Sequence, residues 1–136
     1  MESQTIPGYD GTLGIQYVEV KPDRVEAFID IDSRHLQLGG IVHGGVYASI
    51  VESLGSVGAA LWGAPRQLAP VGVANSTDFL AMHREGRLTA IGEPIQQSLT
   101  YQLWLIKITG RDDRDVARGQ LRLHHLRGRN LPTNER

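Results

Sequence analysis

Apolar residues recur along this chain with two different periods. From Arg24 to Ile31, Val25, Ala27, Ile29 and Ile31 alternate with Glu26, Phe28 and Asp30, the period of a half-buried strand. A second apolar run, Leu13 to Val20, precedes it. Lys21-Pro22-Asp23 between the two is turn chemistry, so a hairpin is predicted. From residue 45 to 62 the period changes. That segment has no proline, and Val46, Ile50, Leu54 and Val57 recur at steps of four and three, which predicts one helix with an apolar face. Gly45, Ala48, Glu52, Gly55 and Ala59 form a second stripe at similar spacing, small everywhere except at Glu52. Glycine inside a helix costs about 1 kcal/mol relative to alanine, so such a stripe marks close approach of another backbone.

Gly63-Ala64-Pro65 ends the helix. Beyond it the pattern predicts four strands, Leu68 to Leu80, Arg87 to Pro94, Leu99 to Thr109 and Val116 to Leu126. They are separated by Arg84-Glu85-Gly86, Glu93-Pro94 and Gly110-Arg111-Asp112-Asp113. Tyr101, Leu103 and Leu105 alternate with Gln102, Trp104 and Ile106, and apolar residues on both faces place that strand in mid-sheet. Two strands, one long helix and four strands make an α+β layer arrangement. An antiparallel sheet of about six strands wrapped around one central helix, the hotdog fold, would account for the small stripe. Residues 1–12 are expected as a flexible arm, 13–126 as a single domain and 127–136 as a polar tail.

The chain has 136 residues, enough for one domain with a real core. A net charge of -1 gives no general attraction to nucleic acid or anionic membrane. The absence of cysteine removes disulfides, thiolate metal sites and Cys nucleophiles. No apolar run reaches the length of a membrane span and the N-terminus has no signal-peptide pattern, so a cytoplasmic protein is expected. His124 and His125 fall on opposite faces of a strand, and His35 and His43 have no third ligand nearby; no metal or cofactor is expected.

The chemistry concentrates where His43-Gly44-Gly45 opens the helix. Gln37 lies six residues before His43, Glu52 nine after it, and Ser56 one turn beyond Glu52. A helix's first turn offers free N–H groups at the positive end of its dipole. Glycine at 44 would let a carbonyl oxygen approach them, which suits an oxyanion site. Gln37 could add a side-chain donor, His43 could orient the loop, and Glu52 could attack a carbonyl carbon or activate water.

This run resembles the PaaI-type hotdog acyl-CoA thioesterases, in the branch with a helix glutamate. The resemblance covers about Leu13 to His125. It implies that Gln37 and the Gly44 N–H polarise a thioester carbonyl, that Glu52 is nucleophile or general base, and that Ser56 orients it. It also implies an aromatic or medium-chain acyl-CoA substrate; Gly45, Asn75, Ser76, Ser98, Thr100 and Arg84 are the candidate substrate contacts. Phe79, Trp62 and Met82 are candidate pocket walls. Where family members carry Gly-Arg between two strands, this chain reads Ser98-Leu99-Thr100. Arg84 and Arg87, or Arg118 and Arg122, are then the cations left for the CoA phosphates. The alternatives are a hotdog hydratase or dehydratase and a non-catalytic acyl-CoA-binding module.

Gly44 and Glu52 are eight residues apart, roughly 12 Å along one helix. An attacking atom must lie within about 3.5 Å of the carbonyl carbon, so both cannot serve one thioester from the same chain. A homodimer with antiparallel helices is expected, and the family resemblance implies a homotetramer.

Overall fold

Two strands precede the long helix and four follow it, as the periods predict. The computed structural model describes residues 6–127. Strands β1 (Gln16–Lys21) and β2 (Arg24–Ile31) form the first hairpin, with Lys21 paired to Arg24 across Pro22-Asp23. Helix α2 (Gly44–Gly63) follows a short helix α1 (Tyr9–Leu13) and this hairpin, and then come β3 (Leu68–Phe79), β4 (Gly86–Gln97), β5 (Tyr101–Thr109) and β6 (Asp115–Arg127). All six strands join one antiparallel sheet in the order β1-β2-β4-β5-β6-β3. This is the hotdog fold.

The sheet's inner face wraps the helix. Val46, Ile50, Val51 and Leu54 of α2 are buried against Ala27, Ile29, Leu88, Trp104, Ile106 and Leu121. The small stripe has a direct cause at its C-terminal half: a Cβ on Gly55 would stand 2.6 Å from the Leu121 side chain. Gly58, outside that stripe, lies under the Trp104 ring in the same way. Residues this close leave no room for one more methyl group.

Three boundaries differ from the pattern by three residues or more. β4 runs past Pro94 to Gln97, because Pro94 sits at a register shift with Gln96 where no ladder N–H is required. β1 starts at Gln16, because Leu13 closes α1 and Gly14 ends it in the left-handed region. Within the segment expected as an arm, residues 9–12 are helical. Asp10 accepts hydrogen bonds from Tyr17 Oη (2.8 Å) and Ser53 Oγ (2.5 Å), which tie α1 to β1 and α2. Burial and the neighbouring Asp10 carboxylate push the Tyr17 phenol well above its usual pKa. Of the expected polar tail, only Arg127 is among the described residues, as the last residue of β6.

β3 is the sheet's second edge. It pairs only with β6, and Val71, Val73 and Phe79 along it are exposed. Among the described residues no helix is long and apolar enough to cross a membrane.

Candidate active site

The N-terminal end of α2 is built by His43. Its backbone is extended while its side chain caps the helix: Nδ1 accepts the Gly45 N–H at 2.8 Å. The Val46 N–H is taken by the His43 carbonyl at 2.9 Å. The Gly44 N–H, first in the helix, has no partner among the described residues and stands at the positive end of the dipole. The preceding loop is closed by Gln37 N–H to Ile41 O (2.9 Å) and fixed to the sheet side by Val42 N–H to His83 O (2.8 Å).

Gln37 and Gly44 line one open cleft of about 500 Å³, whose apolar walls include Val42, Tyr47, Phe79 and Met82. The Gln37 amide is oriented by its own loop. Its Oε1 accepts the Gly39 N–H at 2.6 Å, which leaves the Nε2 hydrogens as the donors available to the cleft. Gly44 is also required by packing, since a Cβ there would stand 2.5 Å from the Phe79 ring. Tyr47 and Phe79 meet with ring centroids 5.7 Å apart. Burial raises the Tyr47 pKa, against the opposing charge of Arg114, so the phenol is neutral at ordinary pH. Gln37 and Gly44 thus border a cleft whose other walls are largely apolar.

Glu52 is not in this cleft. Its side chain is exposed on the flank of α2 beside β3, where both carboxylate oxygens lie 3.2 Å from the position of a Cβ on Gly72. Backbone approaches the small stripe at Glu52, as its composition suggests, yet the carboxylate stays open to solvent. Ser56 Oγ donates to Glu52 Oε1 across a long 3.4 Å. The Gly44 N–H and the Glu52 carboxylate therefore lie two turns apart along the β3-facing flank of α2, and only the first borders the cleft.

Comparison with known proteins places the arrangement. Residues 39–117 match the model of the thioesterase superfamily. The chain belongs to that superfamily. It is accordingly an enzyme that acts on thioesters. It is 42% identical to the Mycobacterium tuberculosis protein Rv1847, provisionally named an esterase, whose structure superposes with a TM-score of 0.86 over 88% of this chain and 97% of that one. AziG of S. sahachiroi is 40% identical, with a TM-score of 0.86 over 92% of this chain and all of that chain (100%). The 1,4-dihydroxy-2-naphthoyl-CoA hydrolase of Escherichia coli is 33% identical over 98 residues, 72% of this chain and 71% of that protein.

The remaining residues expected at a thioesterase site fall into groups. Asn75 Nδ2 donates to the Ala48 carbonyl at 2.9 Å and Asn75 Oδ1 accepts from Thr77 Oγ1 at 2.7 Å, so this side chain clamps β3 to α2. Ser76, one residue on, lies on the opposite face of β3. Ser98 closes the β4–β5 turn through Oγ to Tyr101 O (2.9 Å), and Thr100 O accepts from the His125 N–H (3.1 Å). That turn lies toward the C-terminal end of α2, where Trp62 stacks on His125, so Trp62 is no part of the Gln37 cleft. Arg87 is held by Asp30 at 2.8 Å and covers Phe28, while Arg118 and Arg122 lie on the sheet's outer face. Gly72 escaped the sequence reading; a glycine inside a predicted strand is the signal that could have found it.

Proposed function

We propose that this enzyme hydrolyses acyl-CoA thioesters to free acid and CoA at sites shared between two subunits. Gly44 N–H and Gln37 Nε2 of one subunit hold the carbonyl oxygen, and Glu52 of the other acts on the carbonyl carbon. The observation that supports this reading is that Gln37 and Gly44 line one cleft, while the carboxylate with the expected spacing lies two turns further along the same helix. A two-fold axis that sets two α2 helices antiparallel brings each carboxylate to the other chain's donors and makes two equivalent sites. The free edge of β3 supports it, because an exposed strand edge with Val71, Val73 and Phe79 is a surface that soluble proteins cover.

In the reaction, charge that builds on the carbonyl oxygen meets two fixed N–H donors, which are already oriented when the tetrahedral intermediate forms. Glu52 either attacks the carbon, giving a mixed anhydride that water cleaves, or takes a proton from the attacking water. The thiolate of CoA leaves in both cases. Ser56 steadies the carboxylate through its hydroxyl. Tyr47, Phe79 and Met82 suit an aromatic or medium-chain acyl group. Membership of the thioesterase superfamily favours hydrolysis over hydration of a double bond or silent binding.

Mixing two inactive variants tests the shared site. Glu52→Ala carries intact donors, and Gln37→Ala carries an intact carboxylate. After subunit exchange each hybrid dimer regains one complete site, so thiol release returns. If exchange is confirmed and the mixture stays inactive, the sharing of donors and carboxylate is wrong.

A further inference from the structure

A second cleft adjoins the first across Met82, which lines both. It also measures about 500 Å³, and Arg84, Arg111 and Arg114 line it together with Glu85 and Asp112. Chain folding assembles this group: Arg84 precedes β4, while Arg111 and Arg114 belong to the β5–β6 turn. Three guanidinium groups against two carboxylates leave one net positive charge, with no ion pair joining any of them among the described residues. Four other arginines are engaged, while Arg118 and Arg122 lie on the sheet's outer face away from this cleft. Arg24, Arg34 and Arg87 each meet a carboxylate, and Arg66 caps the α2 carbonyl of Trp62. Arg114 is held in place by donation from Nη2 to the Met82 carbonyl at 2.6 Å. Arg84 reaches back over the Gln37 loop, its Nη1 3.8 Å from the position of a Cβ on Gly40.

We infer that this arginine cleft is the subsite for the phosphates of the CoA nucleotide. The inference rests on the acyl-CoA reading above and supplies the cations that Ser98-Leu99-Thr100 lacks. Guanidinium forks match phosphate oxygens with paired hydrogen bonds. A thioester held at Gly44 would send its pantetheine arm past Met82 into a concave, net positive recess. A recess suits a nucleotide better than the flat surface of a folded acyl-carrier protein would.

The test compares acyl-CoA with the corresponding acyl-pantetheine, which has the thioester but no phosphate. Arg84→Ala and Arg111→Ala, both at exposed positions, should each raise KM for acyl-CoA roughly tenfold, the scale of one charge-assisted hydrogen bond. Their kcat should change little, and KM for acyl-pantetheine should not move. ADP should compete with acyl-CoA in the wild type and lose that effect in the double variant. Unchanged KM for acyl-CoA, with acyl-pantetheine still hydrolysed, overturns the phosphate site and spares the thioesterase reading. Loss confined to an acyl-carrier-protein substrate also overturns it. Hydrolysis of neither small thioester overturns both.

Discussion

The two ends of α2 both meet polar side chains, and they use them in opposite ways. At the C-terminal end Gln102 is fully buried, and its Nε2 donates to the Ala59 carbonyl at 3.0 Å. Its Oε1 accepts from Trp104 Nε1 (2.9 Å) and Gln97 Nε2 (3.2 Å), and His125 Nε2 lies 3.0 Å from Nε2. Arg66 stacks 3.9 Å over the Trp62 ring, a cation beside the negative end of the dipole. Every group there is satisfied internally. At the N-terminal end the Gly44 N–H is open, and only the oxygen of the Gln37 amide is engaged. A closed network at one end specifies the core; open donors at the other end are available to a ligand.

This contrast predicts which substitutions act on chemistry and which on folding. The largest effect belongs to Glu52→Gln. Thiol release should fall at least about a hundredfold, the scale of an essential base or nucleophile, while the thermal midpoint stays close to wild type, because the carboxylate is exposed and its Ser56 bond is long. An unfolded or heat-labile variant would show that Glu52 belongs with the structural groups instead. Gln37→Ala comes next. It should cost about 2–4 kcal/mol in transition-state stabilisation, seen as a lower kcat with a smaller rise in KM and little change in stability. A change in KM alone would make Gln37 a binding residue.

Gln102→Ala is the counterpart at the closed end. It leaves the Ala59 carbonyl and the Trp104 indole N–H without their partner in a buried site, so denaturant unfolding should show a loss of about 2 kcal/mol. Specific activity of the folded protein should be close to wild type. Loss of kcat at full stability would erase the distinction between the two ends.

Gln102 also marks how far the sequence could be read. The alternation from Tyr101 to Ile106 announces a mid-sheet strand, but with apolar residues on both faces it does not say which set turns inward. The inward set is Gln102, Trp104, Ile106 and Ile108, chosen by long-range packing on Gly58 and Ala59, which no local period encodes. The Gln37–His43–Gly44–Glu52 spacing was legible because a helix's first turn and its rise per residue are local rules. The same rise sets the separation of Glu52 from Gly44 along the helix. The arginine cleft was half legible: Arg84 was among the candidate cations, while Arg111 stood only in a turn signal and Arg114 carried no signal until β4, β5 and β6 brought them beside it.

The smallest effect, from His43, sits on the border of the comparison. Its imidazole Nδ1 caps α2 by accepting the Gly45 N–H, a structural service at the end assigned to chemistry. Removing a capping side chain costs about 1 kcal/mol, so His43→Ala should lower stability by that amount and frays the turn that aims the Gly44 N–H. The expected loss of kcat is accordingly less than about tenfold, about 1.4 kcal/mol. Asparagine is a good capping residue, and its side-chain oxygen can accept from the same N–H. His43→Asn should therefore recover most of the stability and most of the rate. If His43→Asn is stable but as slow as His43→Ala, the imidazole takes part in the reaction itself, and the capping account of His43 is wrong.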